Sequence, residues 1–505
     1  MLKKLLFVFT FLLVSSLWAK RPNIIFLQAD DFRASGLSCQ GNKIAKTVNL
    51  DKLAEQGVRF SNAYTVAPVC QPSRVSFLLG QYQRTHGVGF STKKSLSEAQ
   101  WDVSYPARLR DAGYYTGFIG KFGVERYDFK GKANEKFDYW MAHDGWSKFF
   151  PKEHKNTAIY KEKKSDIITE IMGESMEQFL DTRPADKPFC LSVSFSAPHG
   201  STSTTMCKDG GWLMNKPANL SPLIKDHPVY GSLYRNLDIP LPETMDGHPE
   251  QYLPRDVMNP EHGRNKCYAY NYTRERVKEH LYRYNQLIKG VDNQVGRLLE
   301  ALKEQGLADN TIIAFSSDNG LLIGDYNHGG KGLLYDLTAK VPFILYDPRL
   351  PEERRGQVVD VPILSIDLAP TILSYAGVDI PKEMEGEQLQ PVMENVETGR
   401  KEVFLESLFA LRGNAYSEGV RSGKFKYIRH FRTPGQLKAM EKGRFGYGCK
   451  VEEIQFESPT IHEQLFDLNV DPGETVNLVN NPEYKAVLTK LRKRCKEESL
   501  DLKGE

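Results

Sequence analysis

Short apolar runs recur along this chain, and each ends in polar or charged residues. Asn23-Ile24-Ile25-Phe26-Leu27 leads into Gln28-Ala29-Asp30-Asp31. Tyr114 to Ile119 leads into Gly120-Lys121, and Phe189 to Phe195 into Ser196-Ala197-Pro198-His199. Thr311 to Phe315 leads into Ser316-Ser317-Asp318-Asn319-Gly320, and a further run spans Val341 to Leu345. Short, mostly apolar runs of this length predict buried strands. Between them the period changes to that of a helix. Asn49 to Gln56 carries Leu50, Leu53 and Ala54 on one face, with Asn49 placed to cap it and Gly57 to end it. Asp166 to Leu180 aligns Ile167, Ile171, Met172 and Met176. Val277, Leu281, Tyr284, Ile288, Val291, Val295, Leu298 and Leu302 repeat at alternating steps of four and three. That stripe also suits a coiled coil, but the strand that follows at once favours a helix laid on a sheet. Asp367 to Tyr375 reads as one more helix. Strands alternating with amphipathic helices predict an α/β fold, a central sheet flanked by helices.

Two stretches break the pattern. Residues 200–266 lack periodicity and are rich in Pro, Gly, Asn and His, as expected of an insertion that shapes a pocket. From about Met384 the chain turns more polar, and Glu418 to Ile428 reads as two short strands about a Ser422-Gly423 turn. With a basic helix over Tyr484 to Lys496, this predicts a smaller C-terminal antiparallel sheet plus helix. At the other end, Lys3 and Lys4 precede an apolar run from Leu5 to Val14, then Ser15, Ser16 and Ala19. This predicts a cleaved signal peptide over 1–19, with an uncleaved anchor as the alternative. The run is too short for a stable membrane span. The expected division is therefore leader 1–19, large domain 20–383 and C-terminal subdomain 384–505, in a periplasmic or secreted protein.

Composition adds little to this. The chain has 505 residues, 40% hydrophobic and 26% charged, with a formal net charge of +3. That charge makes no case for nucleic-acid binding. The seven cysteines, Cys39, Cys70, Cys190, Cys207, Cys267, Cys449 and Cys495, follow no zinc spacing.

The strand ends hold the candidate chemistry, because ligands of α/β sheets collect at the carboxyl ends of strands. Two strands deliver acid and amide oxygens there: Asp30 and Asp31 from one, Asp318 and Asn319 from the other. Each pair alone could be a solvated turn. Together they form an all-oxygen set suited to a hard cation. Cys70 could be a buried or disulfide-bonded cysteine, or a nucleophile whose pKa is lowered by Arg74 one helical turn on. His199 could be a structural histidine or an acid–base group. Lys121 could be an edge lysine. The Gly-rich loop around Lys331 lacks P-loop spacing.

Cys70-Gln71-Pro72-Ser73-Arg74 with Leu79-Gly80 resembles the signature of the type I sulfatases, within the alkaline phosphatase superfamily. The run from Asn49 to Tyr64, Ala197-Pro198-His199, Gly330-Lys331-Gly332 and Leu465-Phe466-Asp467-Leu468 to Glu474 are similar to that family too, so the likeness extends from Asn23 to about Leu478. The insertion and 431–459 fall outside it. The resemblance implies an alkaline-phosphatase-like mixed sheet and hydrolysis of sulfate esters with S–O cleavage. It implies that a maturation enzyme oxidises Cys70 to formylglycine, whose hydrate attacks sulfur. It implies calcium, with magnesium as the alternative, held by Asp30, Asp31, Asp318, Asn319 and the modified Cys70. It assigns Arg74 to orienting the hydrate, Lys121 and Lys331 to the sulfate oxygens, and His199 to the leaving oxygen. The chain departs from the family at Gly120-Lys121-Phe122-Gly123, where a histidine normally follows the lysine, and has Tyr335-Asp336 for Tyr-Glu. His143 and His328 are the candidates for binding substrate near that gap. The expected substrate is a sulfated saccharide. The insertion carries Trp212, Tyr230, Tyr234, Arg235, His248 and Arg255, which suit sugar faces and hydroxyls. The rivals are a phosphomonoester, phosphodiester or phosphonate ester hydrolase of the same superfamily, and a non-catalytic relative that binds sulfated glycans.

Overall fold

A computed structural model describes residues 21–90, 94–124, 132–206, 227–258, 273–409, 413–445, 451–454 and 457–502. The leader, Trp212, Cys207, Cys267 and Cys449 lie outside the described residues. Eight strands form the central sheet: β1 Asn23–Ala29, β2 Val58–Phe60, β3 Tyr115–Lys121, β4 Tyr139–His143, β5 Phe189–Ser194, β6 Thr311–Ser317, β7 Phe343–Tyr346 and β8 Gln357–Val359. Their order is β8-β2-β7-β6-β1-β5-β3-β4. Strand β7 is antiparallel to both neighbours and every other pairing is parallel, so the sheet is mixed.

Alternation along β1 shows how the sheet is buried. Ile25 and Leu27 face one core with α3 (Ile168–Thr182) and α4 (Arg274–Glu304), among Ile171, Phe179, Leu287 and Val291. Ile24 and Phe26 face the opposite core, with Val75 and Leu79 of α2 (Cys70–Leu79) and Leu368 and Ile372 of α5 (Leu368–Tyr375). Each such side chain contributes about 1.5–3 kcal/mol of burial, and the two layers leave only the strand ends free for chemistry. Helix α1 (Val48–Gln56) differs from expectation at its start. Thr47 is its N-cap, while Asn49 donates Nδ2 to the Asp292 carbonyl of α4 at 3.0 Å.

The C-terminal sheet has four antiparallel strands in sequential order: β9 Glu402–Ser407, β10 Tyr416–Ser422, β11 Phe425–Phe431 and β12 Thr460–Asp467. Helix α6 (Lys485–Asp501) covers it through Leu488, Leu491 and Cys495. The same apolar cluster takes in Tyr64, Leu334 and Tyr335 from the large region, so this sheet abuts the segment that follows Lys331. No helix among the described residues is long and apolar enough to cross a membrane.

Candidate active site

The parallel register brings the predicted strand ends together. Ala29 of β1 pairs with Ser317 of β6, so Asp30-Asp31 and Asp318-Asn319 emerge side by side. The Asp318 N–H donates to the Ala29 carbonyl at 3.1 Å, and the Asp30 N–H to the Ala197 carbonyl at 3.2 Å, which draws in the segment carrying His199. Strand β3 ends at Lys121. Cys70 is the first residue of α2, after an extended N-cap at Val69. Gly80 ends that helix in the left-handed region, φ 64°, as its Leu-Gly sequence suggests.

Three carboxylates meet three cationic side chains in a space closed to solvent: Asp30, Asp31 and Asp318 against Arg74, Lys121 and Lys331. Arg74 donates from Nε to Asp318 Oδ2 at 2.9 Å and lies with Nη2 at 2.7 Å from the same oxygen and 3.4 Å from Asp30. Its Nη1 donates to the Lys121 carbonyl at 2.9 Å, to Gln28 Oε1 at 3.2 Å and to Ser194 Oγ. Lys121 bonds Asp30 Oδ2, and Lys331 bonds Asp31 Oδ1 while donating to Cys70 Sγ at 2.6 Å. The Cys70 thiol lies 3.3 Å from Asp30 Oδ1. Burial raises the pKa of Asp30, but Lys121, His199, Lys331 and Arg74 outweigh it and hold this carboxyl well below its ordinary range.

The free thiol is not activated. Burial and the Asp30 charge push it up to about 12, against Lys121 and Lys331. The guanidinium of Arg74 is spent on Asp318 and Asp30. The alternative in which Arg74 lowers the thiol pKa finds no support in this geometry: Arg74 is bonded to Asp318 and Asp30, while burial and Asp30 raise the Cys70 thiol.

Two oxygens mark where a cation fits. Asp31 Oδ2 and Asn319 Oδ1 are buried and accept no hydrogen bond, which is costly unless something else satisfies them. Asp31 is also held at φ 68°, a strained conformation for a residue other than glycine, and Asn319 Nδ2 donates to its Oδ1 at 2.6 Å. Ligand atoms of Asp30, Asp31, Cys70 and His199 all lie within 4.8 Å of one another. Oxygen donors from two strand ends suit calcium or magnesium.

His199 joins this group, and its ring orientation is defined. The Ser201 N–H donates to Nδ1 at 2.9 Å, so the neutral ring carries its proton on Nε2, which faces Asp31 Oδ2 at 3.8 Å. Burial lowers its pKa to about 4 despite Asp30 and Asp31.

The two histidines expected to bind substrate are both buried. His143 pairs with Lys121 in the β3–β4 register but is fully buried, its Nδ1 2.8 Å from Tyr160 Oη and its Nε2 3.3 Å from Ser196 Oγ. Burial and the charges of Lys121 and Arg74 lower it to about 3. His328 is also buried and is lowered to about 4, its ring engaged with the backbone at Pro249. The histidine position after Lys121 is closed as well. Gly123 sits at φ 62°, and a Cβ there would stand 2.8 Å from Arg74 Cδ. Of the insertion residues, Tyr230 is buried and Arg235 is paired with Glu279 at 2.8 Å, while His248 and Arg255 are exposed.

Gln28 and Ser194, which brace Arg74, and Tyr284, whose Oη donates to the Asp31 carbonyl at 2.8 Å, were not anticipated. The one available signal was a glutamine closing an otherwise apolar strand.

Comparison with known proteins agrees with this geometry. The Sulfatase family pattern matches residues 22–378, and the pattern described as N-sulphoglucosamine sulphohydrolase, C-terminal matches residues 324–444. The chain belongs to the sulfatase family. As such it is a sulfuric ester hydrolase of the alkaline phosphatase superfamily. This sulfatase is 31% identical to an arylsulfatase of Clostridium perfringens, over 94% of this chain and 93% of that one. It is 26% identical to an N-acetylglucosamine-6-O-sulfatase of Bacteroides thetaiotaomicron, over 92% and 84%. Its fold matches that of a protein solved with its substrate D-glucosamine-2-N,6-O-disulfate, at TM-score 0.67 and 22% identity, over 96% and 99% of the two chains.

Proposed function

We propose that this sulfatase removes sulfate from a sulfated saccharide, using formylglycine made from Cys70 by a maturation enzyme. The observation that carries the reading is the Cys70 side chain, buried at the start of α2 with Lys331 at 2.6 Å and Asp30 at 3.3 Å. A thiol pushed up to about 12 there has little use as it stands, whereas its aldehyde hydrate would supply the hydroxyl that attacks sulfur. Asp30, Asp31, Asp318 and Asn319, with the modified Cys70, would hold calcium or magnesium, which supplies positive charge to the sulfate oxygens.

The protein's own groups do the rest. Lys331, on Cys70 Sγ, and Lys121, on Asp30 beside it, offer ammonium donors that balance charge on the transferring group. Arg74, fixed by Asp318, Gln28 and Ser194, orients the nucleophile. His199 presents Nε2–H. A bound sulfate anion beside the ring raises its pKa, and the protonated ring then gives its proton to the leaving oxygen. Burial of the whole cluster keeps bulk water away. The saccharide assignment draws on the glucosamine-type substrates named for two of the relatives, and on an N-terminal leader that directs the enzyme to the periplasm or medium. Domain limits of 20–383 and 384–505 accompany this reading. Sulfate release should be measured on 6-sulfated N-acetylglucosamine, an intact sulfated polymer, an aryl sulfate and an aryl phosphate. Turnover of a saccharide sulfate above the aryl ester supports the proposal. Faster phosphate release would replace sulfatase by phosphatase chemistry, and preference for the aryl sulfate over every saccharide would remove the sugar.

A further inference from the structure

The Asp471-Pro472-Gly473-Glu474 stretch belongs to the family resemblance but lies outside the catalytic cluster. Its contacts run to both flanks of the loop that carries Lys331. On the upstream side, Tyr326 Oη donates to the Gly473 carbonyl at 2.8 Å. On the downstream side, the Asp336 N–H donates to Glu474 Oε2 at 2.6 Å. Lys426 of β11 joins the two: its Nζ lies 2.7 Å from Glu474 Oε1, donates to the Leu334 carbonyl at 3.1 Å and bonds the Asp336 carboxylate. Closer still, Ser407 at the end of β9 donates Oγ to the Gly332 carbonyl, next to Lys331, at 2.7 Å. Ser407, Lys426, Glu474 and Tyr326 are all at most 2% exposed. Glu474 adopts φ 52°, a left-handed conformation rare outside glycine, which aims its carboxylate at the Asp336 N–H.

We propose that Ser407, Lys426 and Glu474 are positioning residues that hold Lys331 against Cys70 and Asp31, so that the C-terminal sheet completes the anion site without touching the substrate. The glycines around Lys331 explain the need. Gly330 and Gly332 sit at φ 94° and 83°, and glycine brings freedom that the backbone must lose before the ammonium can stay in place. Hydrogen bonds on Gly332, Leu334 and Asp336 remove that freedom from outside. The tight turn of Asp471 to Glu474 then has a role as the brace for this loop.

The proposal rests on the role given to Lys331 above, and a double-mutant cycle separates the two. The measured quantities are kcat, KM and inhibition by inorganic sulfate for mature enzyme carrying Ser407→Ala, Lys331→Met and both. Lys426→Met and Glu474→Gln serve as second probes, each accepted only if soluble and cooperatively folded. Loss of one hydrogen bond predicts that Ser407→Ala lowers kcat/KM and weakens sulfate inhibition by about three- to tenfold. It should have no further effect in the Lys331→Met background. Equal losses in both backgrounds would overturn the proposal, since the serine would then act on stability alone. A crippled Lys331→Met beside an unaffected Ser407→Ala would overturn positioning while keeping Lys331. An unaffected Lys331→Met would overturn the role of Lys331 itself and the positioning with it.

Discussion

Replacing Gly123 by alanine is a sharp test of how the anion site is packed. The position is where the family histidine would stand, and the structure gives two reasons against any side chain there. Its φ of 62° lies in the left-handed region, where alanine costs about 1–2 kcal/mol. Its Cβ would also lie 2.8 Å from Arg74 Cδ and 3.2 Å from Arg74 Nε, against an optimum of about 3.5–4.0 Å. Arg74 would have to withdraw by roughly 0.7–1.2 Å to restore ordinary contact. Its bonds to Asp318, now 2.9 and 2.7 Å, would stretch beyond useful geometry. A charge-assisted hydrogen bond contributes about 1.5–3 kcal/mol. Lost from an orienting group, that corresponds to a fall of about 10- to 100-fold in kcat/KM. Gly87 supplies the control: its φ is 69° and nothing stands within 4 Å of its Cβ position. Gly87→Ala should lose only the left-handed backbone cost, about 1–2 kcal/mol in urea unfolding, and keep its activity. Sulfate release by both variants, with Gly123→His beside them, completes the assay. Wild-type kcat/KM in Gly123→Ala, or a gain on restoring histidine, would refute the argument that Arg74 occupies this space.

Three other outcomes follow from the same geometry. Asp318→Ala should abolish turnover and lower the calcium bound per folded chain, read by metal analysis after dialysis; wild-type metal content would remove Asp318 from the cation site. His199→Ala should slow sugar sulfates, whose alkoxides need a proton, far more than aryl sulfates, and equal losses would end its role as proton donor. His86, His280 and His430 are buried and lowered to about 3, 3 and 4, chiefly by desolvation. Because their folded values lie below the unfolded value of about 6.5, the unfolded chain binds more protons as pH falls. The stability these neutral rings allow is present above about pH 6.5 and is lost as pH falls, down to about 4 for His430 and about 3 for His86 and His280. The loss is up to about 1.4 kcal/mol per pH unit for each ring. Urea midpoints that stay flat from pH 7 to 5 would contradict this.

Much of this arrangement was legible because it is local. The apolar run before Asp30 and the one before Asp318 read as buried strands, and a parallel sheet must place such ends on one edge. The long stripe from Val277 to Leu302 gave α4 within a few residues. What the sequence concealed is pairing across distance. Arg74 lies one helical turn from Cys70, so local spacing suggested that it acts on the thiol. It is held instead by Asp318, 244 residues away. His143 looked free to bind substrate, but strand pairing buries it against Tyr160 and Ser196. Strand β9 holds only Val403, Phe404 and Leu405 as consecutive apolar residues, with glutamates on either side, and offered too little periodicity to be seen. Its Ser407 nonetheless reaches the Lys331 loop.

The most direct test of the central claim is to follow the Cys70 peptide by mass spectrometry in enzyme matured to different extents, and to measure sulfate release from a saccharide sulfate in the same samples. The account predicts activity in proportion to the fraction of Cys70 present as aldehyde, and none from the thiol form. Full sulfate release by protein whose Cys70 is entirely thiol would contradict it.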